Sequence, residues 1–313
     1  MFEIITFGGA VVDAFLETGM PEKNKELCVP LGYKLLVKNI WFATGGGGTN
    51  TATAFSRLGL KTGFIGKLGK DANAKLILEE LKKEKIDFLG TFGQEPTGYS
   101  VILNSEKQNR TILTFKGANE TLKFSELQLK KLKTKWFYFS SMPGKTLETQ
   151  VKLAKFAVKN KIKVAYNPSS YLTKTNPPLL KQLLKFTNVL ILNNEEASHL
   201  ANKNNIFSNL HKLGPEIVCI THGEKGNKVS DGENIFSAFP RKVKVKERTG
   251  AGDAFASGFV AGLVKFNNLT KAIEIGSLNA ESVIQKPGAK NGLLTWREMS
   301  SQLKNNKIKI TCS

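Results

Sequence analysis

Several things are scarce in this 313-residue chain, and each scarcity excludes something. Cysteine occurs three times, at Cys28, Cys219 and Cys312, with no CxxC pair. That pattern supports neither a disulfide framework nor a thiolate metal site. No run approaches the ~20 consecutive apolar residues of a membrane helix, so no membrane partner is expected. Met1-Phe2-Glu3-Ile4-Ile5 enters a strand-like run without a basic segment or cleavage site, and a cytoplasmic location is expected. The three histidines, His199, His211 and His222, lack metal-ligand spacing. There is no GxxxxGK[ST] phosphate loop, and Gly8-Gly9 lacks the third glycine of a dinucleotide fingerprint.

Arginine and aspartate are also rare. The chain carries 46 Lys+Arg against 26 Asp+Glu, a formal charge of +20, yet only Arg57, Arg110, Arg241, Arg248 and Arg297 are arginines. Arginine is the side chain suited to bidentate phosphate and guanine contacts. The lysines are spread over the whole length without interleaved aromatics, so a solvated basic surface is expected and no nucleic acid partner. The five aspartates are Asp13, Asp71, Asp87, Asp231 and Asp253. In so Asp-poor a chain, one lying inside a glycine motif stands out.

At 41% hydrophobic and 23% charged the composition is that of a folded globular protein. No repeat or linker divides it, and one domain over residues 1–313 is expected. Apolar runs alternate with longer amphipathic segments, the pattern of an α/β fold with a central, mostly parallel sheet and helices on both faces. The expected strands are Glu3–Phe7, Gly63–Ile65, Trp136–Phe139, Lys163–Tyr166, Val189–Leu192 and Ile217–Thr221. The expected helices are Thr49–Leu58, Ala72–Lys83, Leu147–Lys159, Glu195–Ala201, Ile206–Leu213, Ala251–Phe266 and Lys271–Val283. Residues 11–42 and 97–116 break the alternation, with period-2 segments at Tyr33–Trp41, Tyr99–Leu103 and Thr111–Phe115. These two insertions are expected to pair as a small β-sheet lid over an active site.

The strongest local signal is Thr249-Gly250-Ala251-Gly252-Asp253-Ala254-Phe255, small residues opening an apolar helix. Backbone N–H groups at such a helix start form an anion site. Asp253 in the first turn is compatible with a structural role and equally with a general base beside the bound anion. A second cluster, Gly45-Gly46-Gly47-Gly48-Thr49-Asn50, allows close approach of a ligand to backbone. There Asn50 reads either as a helix cap or as a donor–acceptor pair for vicinal hydroxyls.

In this order and spacing the two segments resemble the PfkB, or ribokinase-like, family of carbohydrate and nucleoside kinases, and the likeness runs through the whole chain. Gly45–Gly59 is similar to the N-terminal family signature and Glu247–Asp253 to the C-terminal one. Gly8–Asp13, Thr97-Gly98, Gly117-Ala118-Asn119, Asn167-Pro168, Asn193–Glu196, Thr221–Gly226 and Gly288-Ala289 fit weaker family elements.

The resemblance implies an ATP- and Mg²⁺-dependent kinase that phosphorylates a hydroxyl of a small sugar. Asp253 would be the general base, with Gly250, Ala251 and Gly252 forming the anion hole. Asp13, Gly46, Gly47 and Asn50 would hold the acceptor, with Arg110 available to a phosphate. Asn193 and Glu196 would support Mg²⁺ through water. Thr221, Gly223 and Gly226 would line the ATP loop, with Ser277 or Asn279 near the base.

Glu247 and Arg248 depart from the signature's aspartate and threonine. That puts in question a K⁺ site at Glu247 and Thr249, and Arg248 could supply the charge instead. A purine nucleoside kinase with Phe15, Tyr33, Phe42 or Tyr99 stacked on the base is the first alternative. A non-catalytic nucleotide- or nucleic-acid-binding protein is the second. Lid-to-lid pairing into a homodimer is a further expectation.

Overall fold

The structure, a computed structural model, describes residues 1–24, 26–29, 31–32, 34–106, 109–175 and 177–313. Its first strands are β1 (Phe2–Phe7), β2 (Val11–Glu17), β3 (Glu22–Lys23), β4 (Glu26–Leu27), β5 (Asn39–Gly45), β6 (Thr62–Ile65) and β7 (Lys67–Leu68). β8 (Asp87–Phe88), β9 (Thr91–Phe92), β10 (Gly98–Asn104), β11 (Arg110–Phe115), β12 (Thr134–Ser140) and β13 (Lys163–Asn167) follow. The last are β14 (Val189–Asn193), β15 (Ile217–Thr221), β16 (Asn227–Ser230), β17 (Ile235–Phe239) and β18 (Lys309–Cys312). The helices begin with α1 (Gly47–Arg57), α2 (Ala72–Lys83), α3 (Lys145–Lys159), α4 (Ser170–Thr175) and α5 (Pro177–Leu184). They continue with α6 (Asn194–Leu200), α7 (Ile206–His211), α8 (Ala251–Phe266), α9 (Leu269–Val283) and α10 (Trp296–Asn305).

A ten-stranded sheet in the order β18-β17-β16-β15-β14-β13-β12-β1-β6-β8 forms the centre. From β8 to β15 neighbouring strands run parallel, and β16, β17 and β18 add an antiparallel edge. Successive side chains leave opposite faces of a strand, so the continuous apolar runs feed two cores at once. Phe137 and Phe139 of β12 join a cluster with Leu147, Val151 and Ala154 of α3 and with Leu180 and Leu183 of α5. Trp136 and Tyr138 of the same strand join Phe55 of α1, Phe259 of α8 and Ile273 of α9 on the other face. The interior strands are buried on both sides, which is why their sequences read as uninterrupted hydrophobic segments.

Residues from the two insertions pair as expected, forming a separate four-stranded sheet in the order β11-β10-β2-β5. β10 lies parallel to β2, and β5 antiparallel to β2. The expected strand at Tyr33–Trp41 is corrected to Asn39–Gly45, and Tyr33 itself lies outside the described residues. The structure adds elements beyond those expected from sequence: the short helices α4 and α5, helix α10 and the edge strands β16–β18. Pro177 and Pro178 open α5, a position where a missing N–H costs nothing. Among the described residues no helix is long and apolar enough to cross a membrane.

Candidate active site

Two glycine-rich turns meet above the sheet. Gly46 precedes α1 with φ +97°, and a Cβ there would lie 2.4 Å from the Gly9 carbonyl oxygen. Only glycine satisfies both constraints. Gly45 carries the same logic, because a Cβ would stand 2.1 Å from Oδ2 of Asp13. The Asp13 carboxylate therefore rests against bare backbone at the entrance to α1. Gly250 precedes α8 in the left-handed region at φ +77° and packs against Ala289.

α1 and α8 bring Asn50 and Asp253 together. Asn50 Nδ2 donates to Asp253 Oδ2 at 3.0 Å, although the residues are 203 positions apart. Asn50 Oδ1 is buried with no partner among the described residues. Gly47 also faces Asp253, since a Cβ built there would lie 3.9 Å from Oδ1 and 3.1 Å from the buried, unpartnered hydroxyl of Ser140. Burial lifts the Asp253 carboxyl above the usual aspartate range, and the Asn50 hydrogen bond offsets only part of that. In the first turn of α8, Ala251 N–H donates to the Arg248 carbonyl at 3.3 Å. The Gly252 and Asp253 amides find no acceptor among the described residues. A Cβ on Gly252 would meet nothing within 4 Å, so this turn opens outward. Free amides at the positive end of a sixteen-residue helix, with a carboxylate beside them, can hold an anion and take up a proton.

A cavity of about 960 Å³ adjoins this point, lined by Asp13, Phe15, Trp41, Arg110, Glu247 and Lys290 among others. Period-2 alternation places Asp13, Phe15, Trp41 and Arg110 on one face of the small sheet. Phe15 and Trp41 stack with ring centroids 5.2 Å apart and planes 4° from parallel. Asp13 is lifted by burial, opposed by the Ser100 hydroxyl and by the charges of Lys290 and Lys116. Asp71, by contrast, caps α2 and binds the Thr97 amide, and Asp231 closes a turn to Asn234. Of these four aspartates, only Asp13 lines the cavity, while Asp253 sits behind it at the start of α8, bonded to Asn50.

Lys290 was not singled out from the sequence, although it directly follows the Gly288-Ala289 element. Its ammonium is almost wholly buried and donates to Glu80 at 2.5 Å and to the Thr44 hydroxyl at 2.6 Å. This ties α2, β5 and the loop after α9. Burial pulls its pKa down, and the negative charges of Glu80, Glu84 and Asp13 hold it up. Arg110, expected to face a phosphate, instead crosses from β11 to donate to Glu247 at 2.6 Å and to the Thr249 hydroxyl.

Of the residues expected on the ATP side, Asn193, Thr221 and Gly223 line a shallower hollow of about 440 Å³ together with His222, and Glu196, Gly226, Ser277 and Asn279 do not line it. Asn193 and Glu196 form a reciprocal cap on α6: Asn193 Oδ1 accepts from the Glu196 amide, and Glu196 Oε2 from the Asn193 amide, both at 2.8 Å. Glu196 is lifted by burial, with the Asn193 and Ser170 hydrogen bonds acting the other way. Gly226, at φ +94°, abuts the Ala238 carbonyl. Ser277 is buried and accepts a long hydrogen bond from Asn227. Asn279 is fully buried, donating to the Ala254 carbonyl and accepting from the Leu294 amide. The first bond joins α9 to α8, and the second joins α9 to the segment before α10. No group of three His, Cys, Asp or Glu suited to a metal ion occurs among the described residues.

Comparison with known proteins gives this arrangement a family. The pfkB family carbohydrate kinase pattern matches residues 19–296. A ribokinase of Lactococcus lactis subsp. lactis is 31% identical, over 85% of this chain and 87% of its own. A nucleoside kinase of Methanocaldococcus jannaschii is 25% identical, over 92% of each. The fold is that of Arabidopsis thaliana ribokinase complexed with ribose and ATP, with TM-score 0.82 and 23% identity over 97% of this chain and 99% of that one. The chain belongs to the pfkB family of carbohydrate kinases; it is a sugar or nucleoside kinase, a phosphotransferase with a hydroxyl acceptor.

Proposed function

Within that family, we propose that this chain transfers the γ-phosphoryl of ATP to a hydroxyl of a small carbohydrate, ribose or fructose in type. The observation that carries the reading is the Asn50–Asp253 hydrogen bond, which joins the acceptor-reading turn to the anion-binding helix start. Asp253 accepts the proton of the acceptor hydroxyl as that oxygen attacks phosphorus. Its raised pKa makes it a better proton acceptor than a solvated aspartate. The amides at the start of α8 face the charge that develops on the transferred phosphoryl group. Gly250 and Gly252 keep the turn free of Cβ atoms, and Ala251 adds the smallest side chain. Asp13 and Asn50 fix the acceptor hydroxyls over Gly46 and Gly47, and the small sheet acts as a lid that excludes water.

ATP lies along Thr221, Gly223 and Gly226, with Ser277 behind the loop. Asn193 Oδ1 and Glu196 Oε2 are each taken up by a backbone amide of the cap, so a divalent ion would not sit directly on them but would keep its waters, hydrogen-bonded to this pair, and arrive with the phosphates. Mg²⁺ bound there would neutralise triphosphate charge.

The stacked pair Phe15–Trp41 on the cleft face favours one other reading, a nucleoside acceptor whose base lies on that wall. A coupled ADP-release assay with ribose, fructose, adenosine, guanosine and sugar phosphates separates the two. Turnover on the free sugars supports the proposal, and turnover confined to nucleosides replaces it.

The face of the small sheet opposite Asp13 and Phe15 exposes Ile40, Leu113 and Phe115, each more than half accessible, while Phe42 lines the cavity edge. An apolar surface of this kind on a sheet with free edges suits burial against a second copy. A homodimer through the lid is therefore part of the proposal, and sedimentation showing only monomer at micromolar concentration would remove that part.

A further inference from the structure

Glu247 lies at a junction of three segments. Its Oε1 accepts from Arg110 Nη1 at 2.6 Å and from the Thr249 hydroxyl, and its Oε2 accepts from the Gly288 amide at 2.7 Å. Arg110 Nη1 also donates to the Thr249 hydroxyl oxygen. Glu247 and Thr249 immediately precede the Gly250 turn, and Gly288 precedes Ala289, on which Gly250 packs. The carboxylate thus pins the loop that positions the start of α8 to the loop after α9. Arg110 comes from elsewhere altogether, from an edge strand of the small sheet whose six residues are all exposed.

A monovalent metal ion does not fit this donor set. Such an ion needs oxygen lone pairs turned toward it. Both Glu247 oxygens and the Thr249 oxygen are instead turned toward N–H or O–H donors. A guanidinium already balances the carboxylate, and a second cation beside it would meet like-charge repulsion. The Glu247 carboxyl is held below the usual glutamate range: burial would raise it, but the hydrogen bonds from Thr249 and Gly288 and the Arg110 charge outweigh burial.

We infer that Arg110 is the built-in cation of the anion-binding turn, supplied by the small sheet, so that phosphoryl transfer by this chain needs no K⁺. Arg110 is a positioning residue, acting on the reaction through Glu247 and the turn behind it. The inference rests on the phosphoryl-transfer reading of the Gly250 turn. It also specifies how the lid and the turn are linked: the charge that steadies the turn arrives only with the sheet.

The test compares wild type, Arg110→Met and Arg110→Lys in KCl and in tetramethylammonium chloride at equal ionic strength, reading melting temperature and turnover. Wild type is expected to show the same melting temperature and the same turnover in both salts. Arg110→Met is expected to lose turnover by roughly 10–100-fold, the usual size when a residue supporting direct contacts is removed. Millimolar guanidinium should restore part of that loss, and Arg110→Lys should retain more turnover than Arg110→Met. A K⁺-specific rise in wild-type melting temperature, or a several-fold K⁺ activation of wild-type turnover, overturns the inference. So does an Arg110→Met variant as active as wild type. The melting comparison needs no substrate, so it judges the inference even where no acceptor is phosphorylated, an outcome that would overturn the kinase reading instead.

Discussion

The proposed acceptor end and the proposed nucleotide end of the site are built differently. At the acceptor end, polar contacts join residues far apart in sequence: Asn50 to Asp253, Lys290 to Glu80, and Arg110 to Glu247. Asp13 and Asp253 are lifted there by burial, and glycines at 45, 46 and 250 leave no room for a side chain. At the proposed nucleotide end Asn193 and Glu196 pair within one helix cap and Gly223 stands in open space, although Gly226 is as confined as the glycines opposite and Glu196 is also lifted by burial. What separates the two ends is the reach of their polar contacts: the first is cross-linked by side-chain bonds between distant segments. The second is a shallow surface, which on the proposed reading a large, highly charged ligand would complete. On the proposed reading, that division would make the acceptor end the selective one.

Glycine substitutions should break the contrast most strongly. Gly46→Ala combines φ +97° with a 2.4 Å clash against the Gly9 carbonyl, and it should cost about 3 kcal/mol or more. Gly223→Ala has φ +58° but no neighbour within 4 Å, so it should cost only about 1 kcal/mol. Urea unfolding of the two variants measures the difference, and equal losses would erase the distinction between the two ends.

Lys290→Met comes next, because it strands the Glu80 carboxylate in a partly buried position. About 3 kcal/mol of stability should be lost, with the acceptor KM rising as the cavity wall loosens. Adding Glu80→Gln should recover part of the stability, and a double variant no better than the single one would show the pair is not coupled.

The smallest effect belongs to the nucleotide end. Glu196→Gln keeps the shape of the cap and should weaken it by about 1 kcal/mol or less. The KM for MgATP should rise while the KM for the acceptor stays near wild type. A change confined to the acceptor KM would contradict the assignment of this end.

Much of the scaffold was legible because the buried parallel strands carry unbroken apolar runs, and because glycine turns before helices have a strong local signature. Asp253 and Asn50 could be named from those turns, but their hydrogen bond could not. It depends on how α1 and α8 pack above the sheet. Lys290 and Glu80 look in sequence like two more surface charges in a chain with 46 Lys+Arg, and only tertiary burial distinguishes them. Arg110 reads in sequence as a cation available to a phosphate, but its engagement with Glu247 needs the register of β10 with β11 and the placement of the small sheet beside the Gly250 turn. Asn279 misled for the opposite reason, since a polar residue near a nucleotide loop proves to be joining two helices.

Asp253→Asn tests the central claim most directly, read by turnover, ATP binding and melting temperature across pH. The pKa of Asp253 is raised on folding, so the ionised group opposes folding at pH above its folded pKa. That penalty fades as pH falls toward the unfolded value of 3.8. The variant should therefore melt at or above the wild-type temperature near neutral pH, and this advantage should shrink on acidification. Wild-type turnover should fall as acid protonates the base. On the true acceptor Asp253→Asn should bind ATP normally and lose roughly 10²–10⁴-fold in kcat. A folded Asp253→Asn enzyme with near-normal kcat would contradict the account.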